Sequence, residues 1–157
     1  MMQNAARCEC GTVELGVEGR PIVATTCHCD GCRAAGRRLQ SLPGAPPILD
    51  AEGGTPYVLF RKDRVQPLSG VSALRAHKLT DDSPTRRAVA TCCNTFMFLD
   101  FTKGHWITIP AARLAHAPAA RTARRSPGFV ARLMIAWAAM RFRTPTIDYV
   151  HGALNDV

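Results

Sequence analysis

The residues of this sequence with the clearest capacity for chemistry are its cysteines, which occur in three clusters. The clusters are 8-CEC-10, 27-CHCDGC-32 and the adjacent pair Cys92-Cys93. Each cluster lies at a turn beside a predicted strand, where two or three sulfurs can reach one ion. Thiolates supplied from separate turns form the tetrahedral environment that zinc prefers. The pattern therefore predicts metal binding, with zinc as the expected ion.

Three other uses of the sulfur compete with metal binding. Disulfides are disfavoured, because the sequence has an odd number of cysteines, seven, and because no apolar run in 1-MMQNAARCEC-10 resembles a signal peptide. No segment approaches the length of a membrane span, so we expect a cytoplasmic protein. Cys29 and Cys32 have the spacing of a redox pair, but they do not follow a strand in a βαβ unit. Inert buried thiols are the simplest alternative.

Short segments rich in β-branched or alternating apolar residues predict the strands that position these clusters. They are 12–19, 22–27, 57–60, 86–91, 96–101 and 106–109. Turn signals such as Lys103-Gly104 separate them, and a short helix or a loop is expected over 30–40. Short strands at this spacing predict a mainly β fold, with a compact zinc-binding β domain over residues 1–110.

The composition changes near residue 111, and residues 111–157 are expected to form a linker and a C-terminal amphipathic helix. Ser126 and Pro127 are typical of a helix start, as N-cap and first helical residue. The helix is expected over 129–143, followed by a short helix over 147–154. Its apolar stripe is expected to comprise Phe129, Leu133, Ala136 and Met140, widened by Val130, Ile135 and Trp137.

This stripe predicts that the helix packs on the β domain or on a second copy, which makes a homodimer through the helix a candidate. The alternative is a basic amphipathic helix on a membrane surface. The formal net charge is +8, and residues 113–143 contain seven arginines and no acid. The basic character belongs largely to this tail. With few aromatic residues beside the arginines, it predicts no specific nucleic-acid site.

The cysteine motifs, taken in order, resemble those of the glutathione-dependent formaldehyde-activating enzymes and their relatives, which have the Mss4-like fold. The first two motifs read 8-CECGTV-13 and 27-CHCDGCR-33, and the third maps onto 87-RAVATCCNT-95. The third departs from the family pattern, because Ala90 replaces its first cysteine, Val89 replaces Phe and Asn94 replaces Gly. The exchange at 94 is conservative, since Asn tolerates the left-handed conformation.

The resemblance implies two zinc sites. The first and third motifs would hold a structural zinc through Cys8, Cys10 and Cys93. Cys92 is the favoured replacement for the cysteine lost at Ala90, although water, another group or an empty site are alternatives. The second motif would hold zinc through Cys27, Cys29 and Cys32 with one open coordination position, which is the mark of a catalytic site.

At that open position, the resemblance implies a glutathione or similar thiol that forms or releases an adduct with an aldehyde. Arg33 is a candidate for binding a substrate carboxylate, with an ordinary solvated arginine as the alternative. His28 is expected to point away from the metal. Three functions therefore remain open: a zinc-dependent carbon–sulfur lyase, a non-catalytic zinc-binding interaction module of the same fold, and a thiol redox or metal-handling protein.

Overall fold

Two antiparallel sheets and two helices make up the fold in the computed structural model, which describes residues 4–154. The first five strands and the first helix are β1 (Asn4–Arg7), β2 (Glu14–Val17), β3 (Val23–Cys27), α1 (Asp30–Gln40), β4 (Thr55–Arg61) and β5 (Val65–Ser69). The remaining elements are β6 (Leu74–His77), β7 (Thr85–Ala90), β8 (Thr95–Phe101), β9 (Trp106–Pro110) and α2 (Pro127–Ala139). The mainly β class predicted from the sequence is confirmed.

The larger sheet has six strands in the order β3-β4-β9-β8-β7-β6, and the smaller has three in the order β1-β2-β5. Buried side chains from both sheets, among them Val17, Phe60, Phe98 and Ile107, form one apolar cluster. A second cluster lies on the side of the larger sheet where α1 and α2 pack, and it includes Leu39, Tyr57 and Phe129. The three-cysteine motif belongs to this second side, through Cys27 and Cys32.

All six predicted strands are present, and the alternation in the first is as expected, with Val13, Leu15 and Val17 all buried. Three strands had no sequence prediction: β1, β5 and β6. All three lie at sheet edges. An edge strand can expose much of its length, as β5 does beyond Val65, so its sequence carries little apolar alternation. The segment 30–40 is an α-helix of eleven residues.

The start of α2 follows the prediction, because the Ser126 hydroxyl accepts a hydrogen bond from the Phe129 backbone N–H at 3.2 Å. The predicted end at residue 143 is wrong. The helix ends at Ala139, and Arg141 and Phe142 adopt left-handed backbone conformations with φ of 55° and 58°. Two consecutive residues of this kind cannot continue a right-handed helix.

The four residues of the predicted stripe are buried or packed on the core, with Leu133 and Ala136 against the second cluster, but the predicted widening is wrong at two positions. Phe129 and Met140 are buried, but Val130 and Ile135 are 50% and 69% exposed. The short helix expected over 147–154 is wrong. Ile147 and Val150 instead enter the apolar core, and the Leu154 N–H donates to the Ala76 carbonyl.

No helix in residues 4–154 is long and apolar enough to cross a membrane. The tail packs on the β domain at several points, and its Leu114 lies in the same core as both sheets. The division into residues 1–110 and 111–157 stays a prediction, which truncation tests in the Discussion.

Candidate metal centres and the adjoining cavity

The first cysteine centre brings together Cys8, Cys10, Cys92 and Cys93, whose sulfur atoms all lie within 4.8 Å of one another. Cys8 Sγ lies 3.7 Å from Cys10 Sγ and 3.9 Å from Cys92 Sγ. Cys92 Sγ lies 3.5 Å from Cys10 Sγ and 3.9 Å from Cys93 Sγ. Tetrahedral zinc with bonds of about 2.3 Å requires sulfurs about 3.8 Å apart. The four-cysteine centre is therefore compatible with zinc binding.

The turn between β7 and β8 allows two adjacent cysteines to point at one centre. Neighbouring side chains on an extended strand face opposite sides, but Cys92 and Cys93 follow the end of β7. Asn94 then takes the left-handed conformation, with φ of 53°, before β8 begins. Ala90 is the last residue of β7 and is fully buried. Its position thus belongs to the core, and Cys92 brings a sulfur to the cluster in its place.

The thiols of this centre have different pKa values in the absence of an ion. Hydrogen bonds from the Thr12 hydroxyl and backbone N–H lower the pKa of Cys10 to about 6. Burial and the neighbouring sulfurs raise the pKa of Cys92 to about 12. One sulfur is thus prepared as a thiolate ligand, while a metal ion must displace the proton of the other.

The second centre consists of Cys27, Cys29 and Cys32, at the end of β3 and the start of α1. Cys29 is the N-cap of α1, and its sulfur accepts from the Cys32 backbone N–H at 3.4 Å. Cys27 Sγ lies 3.3 Å from Cys29 Sγ and 3.2 Å from Cys32 Sγ. These separations are about half an ångström below those around zinc, a gap that small side-chain rotations close. Three sulfurs leave one tetrahedral position for another ligand.

Two arginines from distant parts of the chain reach this second centre. Arg124 Nη1 lies 2.6 Å from Cys27 Sγ, and Arg87 Nη2 lies 3.9 Å from Cys32 Sγ. Arg87 is only 4% exposed. Within residues 4–154, no carboxylate forms an ion pair with either arginine. A buried cation of this kind requires a negative partner, which the thiolates or a bound anion can provide.

The same contacts set the charge of the sulfurs. The hydrogen bond with Cys32, contacts with Cys29 and the charge of Arg124 lower the pKa of Cys27 to about 5, against the opposing effect of burial. The shared hydrogen bond and burial raise the pKa of Cys32. The centre therefore carries at least one thiolate at neutral pH, as a metal ligand or a nucleophile requires.

A cavity of about 560 Å³ opens beside the three cysteines. Its apolar wall comes mainly from β4, β8, β9 and α2, and includes Leu59, Leu99, Phe101, Trp106, Phe129 and Leu133. The polar groups at its lining include Thr25, whose buried hydroxyl has no hydrogen-bond partner in the described residues. The cavity is large enough for a drug-sized ligand.

The two other residues singled out in the sequence lie outside this cavity lining. Arg33 Nη2 donates to the Glu52 carbonyl at 3.5 Å. His28 Nε2 lies 4.0 Å from a Glu52 carboxylate oxygen and is not part of the sulfur cluster. Sequence reasoning missed Arg87 as a site residue, although it opens the third motif. It also missed Arg124, which lies in the segment interpreted as a linker and carries no motif.

Comparison with known proteins bears on the first two motifs. The model of the family described as glutathione-dependent formaldehyde-activating enzyme matches residues 3–41. Over this segment the chain is similar to that family. The matched segment contains Cys8, Cys10 and the three-cysteine motif, and it ends well before the altered third motif. The similarity therefore covers the residues on which the two cysteine centres begin.

The fold has a counterpart among solved structures. A crystal structure of a Rhodobacter sphaeroides protein, a structural genomics target, superposes with a TM-score of 0.51. The superposition covers 73% of this chain and 90% of that chain, at 16% sequence identity. At that identity the likeness shows the fold alone. None of the curated proteins matches the chain.

Proposed function

We propose that the chain is a zinc-dependent carbon–sulfur lyase that acts on the adduct of a thiol, glutathione or a similar one, with an aldehyde. Cys8, Cys10, Cys92 and Cys93 hold a structural zinc, and Cys27, Cys29 and Cys32 hold the reactive one. The single observation that carries the proposal is the open side of the three-sulfur cluster, which faces a ligand-sized cavity. A closed four-sulfur site would serve structure only.

The reaction needs no oxidant and no further co-reactant. In the lyase direction the hydroxyl group of the adduct loses its proton, the carbon–oxygen double bond forms and the carbon–sulfur bond breaks. The electron pair of that bond stays on sulfur, which takes up one proton, so the products are a thiol and an aldehyde. Zinc at an open site supplies Lewis acidity, which lowers the pKa of a coordinated thiol.

The chain's own residues supply binding and charge. Arg124 and Arg87 place positive charge at the sulfur end of the cavity, where a substrate thiolate or carboxylate would lie. The unpartnered hydroxyl of Thr25 is available to hydrogen-bond a substrate oxygen. The apolar wall keeps water away from the reacting atoms, which strengthens these interactions.

Metal analysis followed by thiol binding tests this function. The protein is purified without chelator, and we expect two zinc ions per chain, one of them lost in Cys27→Ser and the other retained. Cobalt-substituted protein should then change its visible spectrum when glutathione is added. Turnover is measured as release of formaldehyde from its glutathione adduct. Cys27→Ser with unchanged zinc content, or cobalt protein that no thiol perturbs, would refute the reactive centre.

A non-catalytic interaction module is the second candidate, and the exposed face of α2 favours it. Of the five large apolar side chains that residues 4–154 expose, four lie between 130 and 142: Val130, Met134, Ile135 and Phe142. Such a patch is typical of a protein-binding surface. The homodimer through this helix is a further proposal. It predicts that the wild type sediments as a dimer and Ile135→Glu as a monomer.

The third candidate, a redox or metal-handling protein, rests on the close approach of the sulfurs of Cys27 and Cys32. It predicts that mild oxidation gives an internal disulfide that a cellular dithiol reduces. If the protein instead keeps both zinc ions during mild oxidation and its cysteines stay reduced, the result would favour the lyase.

A further inference from the structure

The strand register arranges the cavity wall in rows that lead away from the cysteines. On one face of the larger sheet, Arg87 pairs with Leu99, Leu99 with Thr108, and Thr108 with Leu59. All four line the cavity, and Arg87 is the one that contacts Cys32. This first row therefore lies beside the three-cysteine centre.

The next row on the same face is aromatic. Phe101 is two residues beyond Leu99 on β8, and Trp106 two residues before Thr108 on β9. Two residues of strand correspond to about 7 Å. The two rings contact each other with centroids 5.7 Å apart, and both line the cavity. A ligand held by its sulfur at the cysteines must extend several carbons to reach them.

The tail covers this aromatic row. Leu133 and Phe129 of α2 line the cavity from the side opposite the sheet. His105 fixes the helix there, because its Nε2 donates to the Leu133 carbonyl at 2.9 Å and its ring stacks on Trp137 with centroids 5.6 Å apart. These residues of the wall belong to the tail and lie outside residues 3–41, which match the family.

A one-carbon aldehyde cannot use such a wall. The adduct of formaldehyde with a polar thiol such as glutathione brings no large apolar group to this wall, so the aromatic row would face polar atoms or water, which is unfavourable. We propose that the cavity binds adducts whose aldehyde component is a larger apolar group, alkyl or aryl, with the negatively charged end at Arg87 and Arg124. This inference rests on the proposed lyase function for the reaction, but the binding preference is separately measurable.

A binding series without sulfur tests the apolar wall independently of the chemistry. Acetate, butanoate and hexanoate are titrated calorimetrically into the full-length zinc-loaded protein. Each added methylene should tighten binding about fourfold. Leu133→Ala should weaken hexanoate binding several-fold and leave acetate binding unchanged. Ile135→Ala is the matched control, because this side chain lies on the same helix, is 69% exposed and faces away from the cavity.

Leu133→Trp is a second variant, which distinguishes a loss of the apolar wall from a folding defect in Leu133→Ala. The larger side chain should fill the cavity and exclude hexanoate, while acetate still binds. Equal affinities across the series, or equal effects of the alanine substitutions at 133 and 135, would overturn the inference.

Ethanethiol and hexanethiol added to cobalt-substituted protein separate the two proposals. A spectral change of equal midpoint for both thiols overturns the apolar preference and leaves the lyase. No change with either thiol, with hexanoate still bound more tightly than acetate, overturns the lyase and leaves the cavity preference.

Discussion

Replacement of Cys92 by serine tests whether an adjacent cysteine pair really completes the four-sulfur centre. Cys92 Sγ lies 3.5 Å from Cys10 Sγ and 3.9 Å from Cys8 Sγ, so it occupies one corner of the cluster. Structural zinc sites contribute about 10–16 kcal/mol at neutral pH. An equal share for one of four ligands is about 3 kcal/mol, which corresponds to roughly a hundredfold weaker zinc binding.

The exposure of Cys92 makes the substitution informative. The side chain lies at a surface turn, so serine should change the stability of the zinc-free protein by no more than about 0.5 kcal/mol. The loss should therefore show only when zinc is present. Zinc affinity is measured by competition with a chromophoric chelator, and thermal unfolding is followed with zinc and with excess chelator.

Two further variants serve as controls for this experiment. Cys93→Ser should weaken the same site by a comparable factor, while Cys29→Ser should affect only the other zinc. If Cys92→Ser binds zinc as the wild type does and Cys93→Ser does not, the reasoning is refuted. The fourth ligand would then be water or another group.

Three other perturbations follow from the contacts of the tail and of the buried histidine. Arg124→Met should weaken zinc binding at the three-cysteine centre about fivefold, because a charged donor 2.6 Å from Cys27 Sγ is removed. Arg121→Met, in the same segment, should leave zinc binding unchanged, and equal effects of the two variants in chelator competition would contradict this. Burial, together with the charge of Lys62, lowers the pKa of His105 below its usual 6.5, against a hydrogen bond to the Leu133 carbonyl that raises it. Because the folded pKa lies below the unfolded one, the neutral imidazole of His105 contributes to the stability of the protein above pH 6.5. That contribution is lost as the pH falls through the folded pKa. His105→Gln should therefore flatten the acid side of a urea-unfolding series in chelator, and an unchanged slope would refute it. Truncation after Pro110 removes Phe129 and Met140 from the core; we expect insoluble or much less stable protein, and a soluble folded monomer by sedimentation would show the tail dispensable.

The local features of this protein were predictable from sequence because they depend on neighbouring residues. The spacing within each cysteine cluster predicted sulfur atoms that could share an ion, whereas the joining of the first and third clusters was implied by the family resemblance. The alternation of Val13, Leu15 and Val17 indicated a half-buried strand. The Ser126-Pro127 pair marked the start of α2 for the same reason, since an N-cap acts within one helical turn.

Local sequence patterns did not predict which apolar residues of α2 are covered. Periodicity finds apolar positions, but α2 is apolar nearly all round, and only the packing of the β domain decides that Phe129 is covered and Ile135 is not. The helix predicted over 147–154 failed for a related reason. There the burial of Ile147 and Val150 and the backbone bonds to β6 outweigh local helix preference.

The arginines and the apolar wall of the candidate site were decided only by tertiary structure. Arg124 reaches Cys27 across 97 residues of sequence, and Arg87 reaches Cys32 across 55. Neither spacing carries a signal, because contacts at that separation depend on strand order and on the path of the tail. The sequence by itself determined which residues supply the clustered sulfur atoms, which are compatible with zinc binding. The fold decided which charges and which apolar wall those sulfurs face, since these depend on how distant segments pack together.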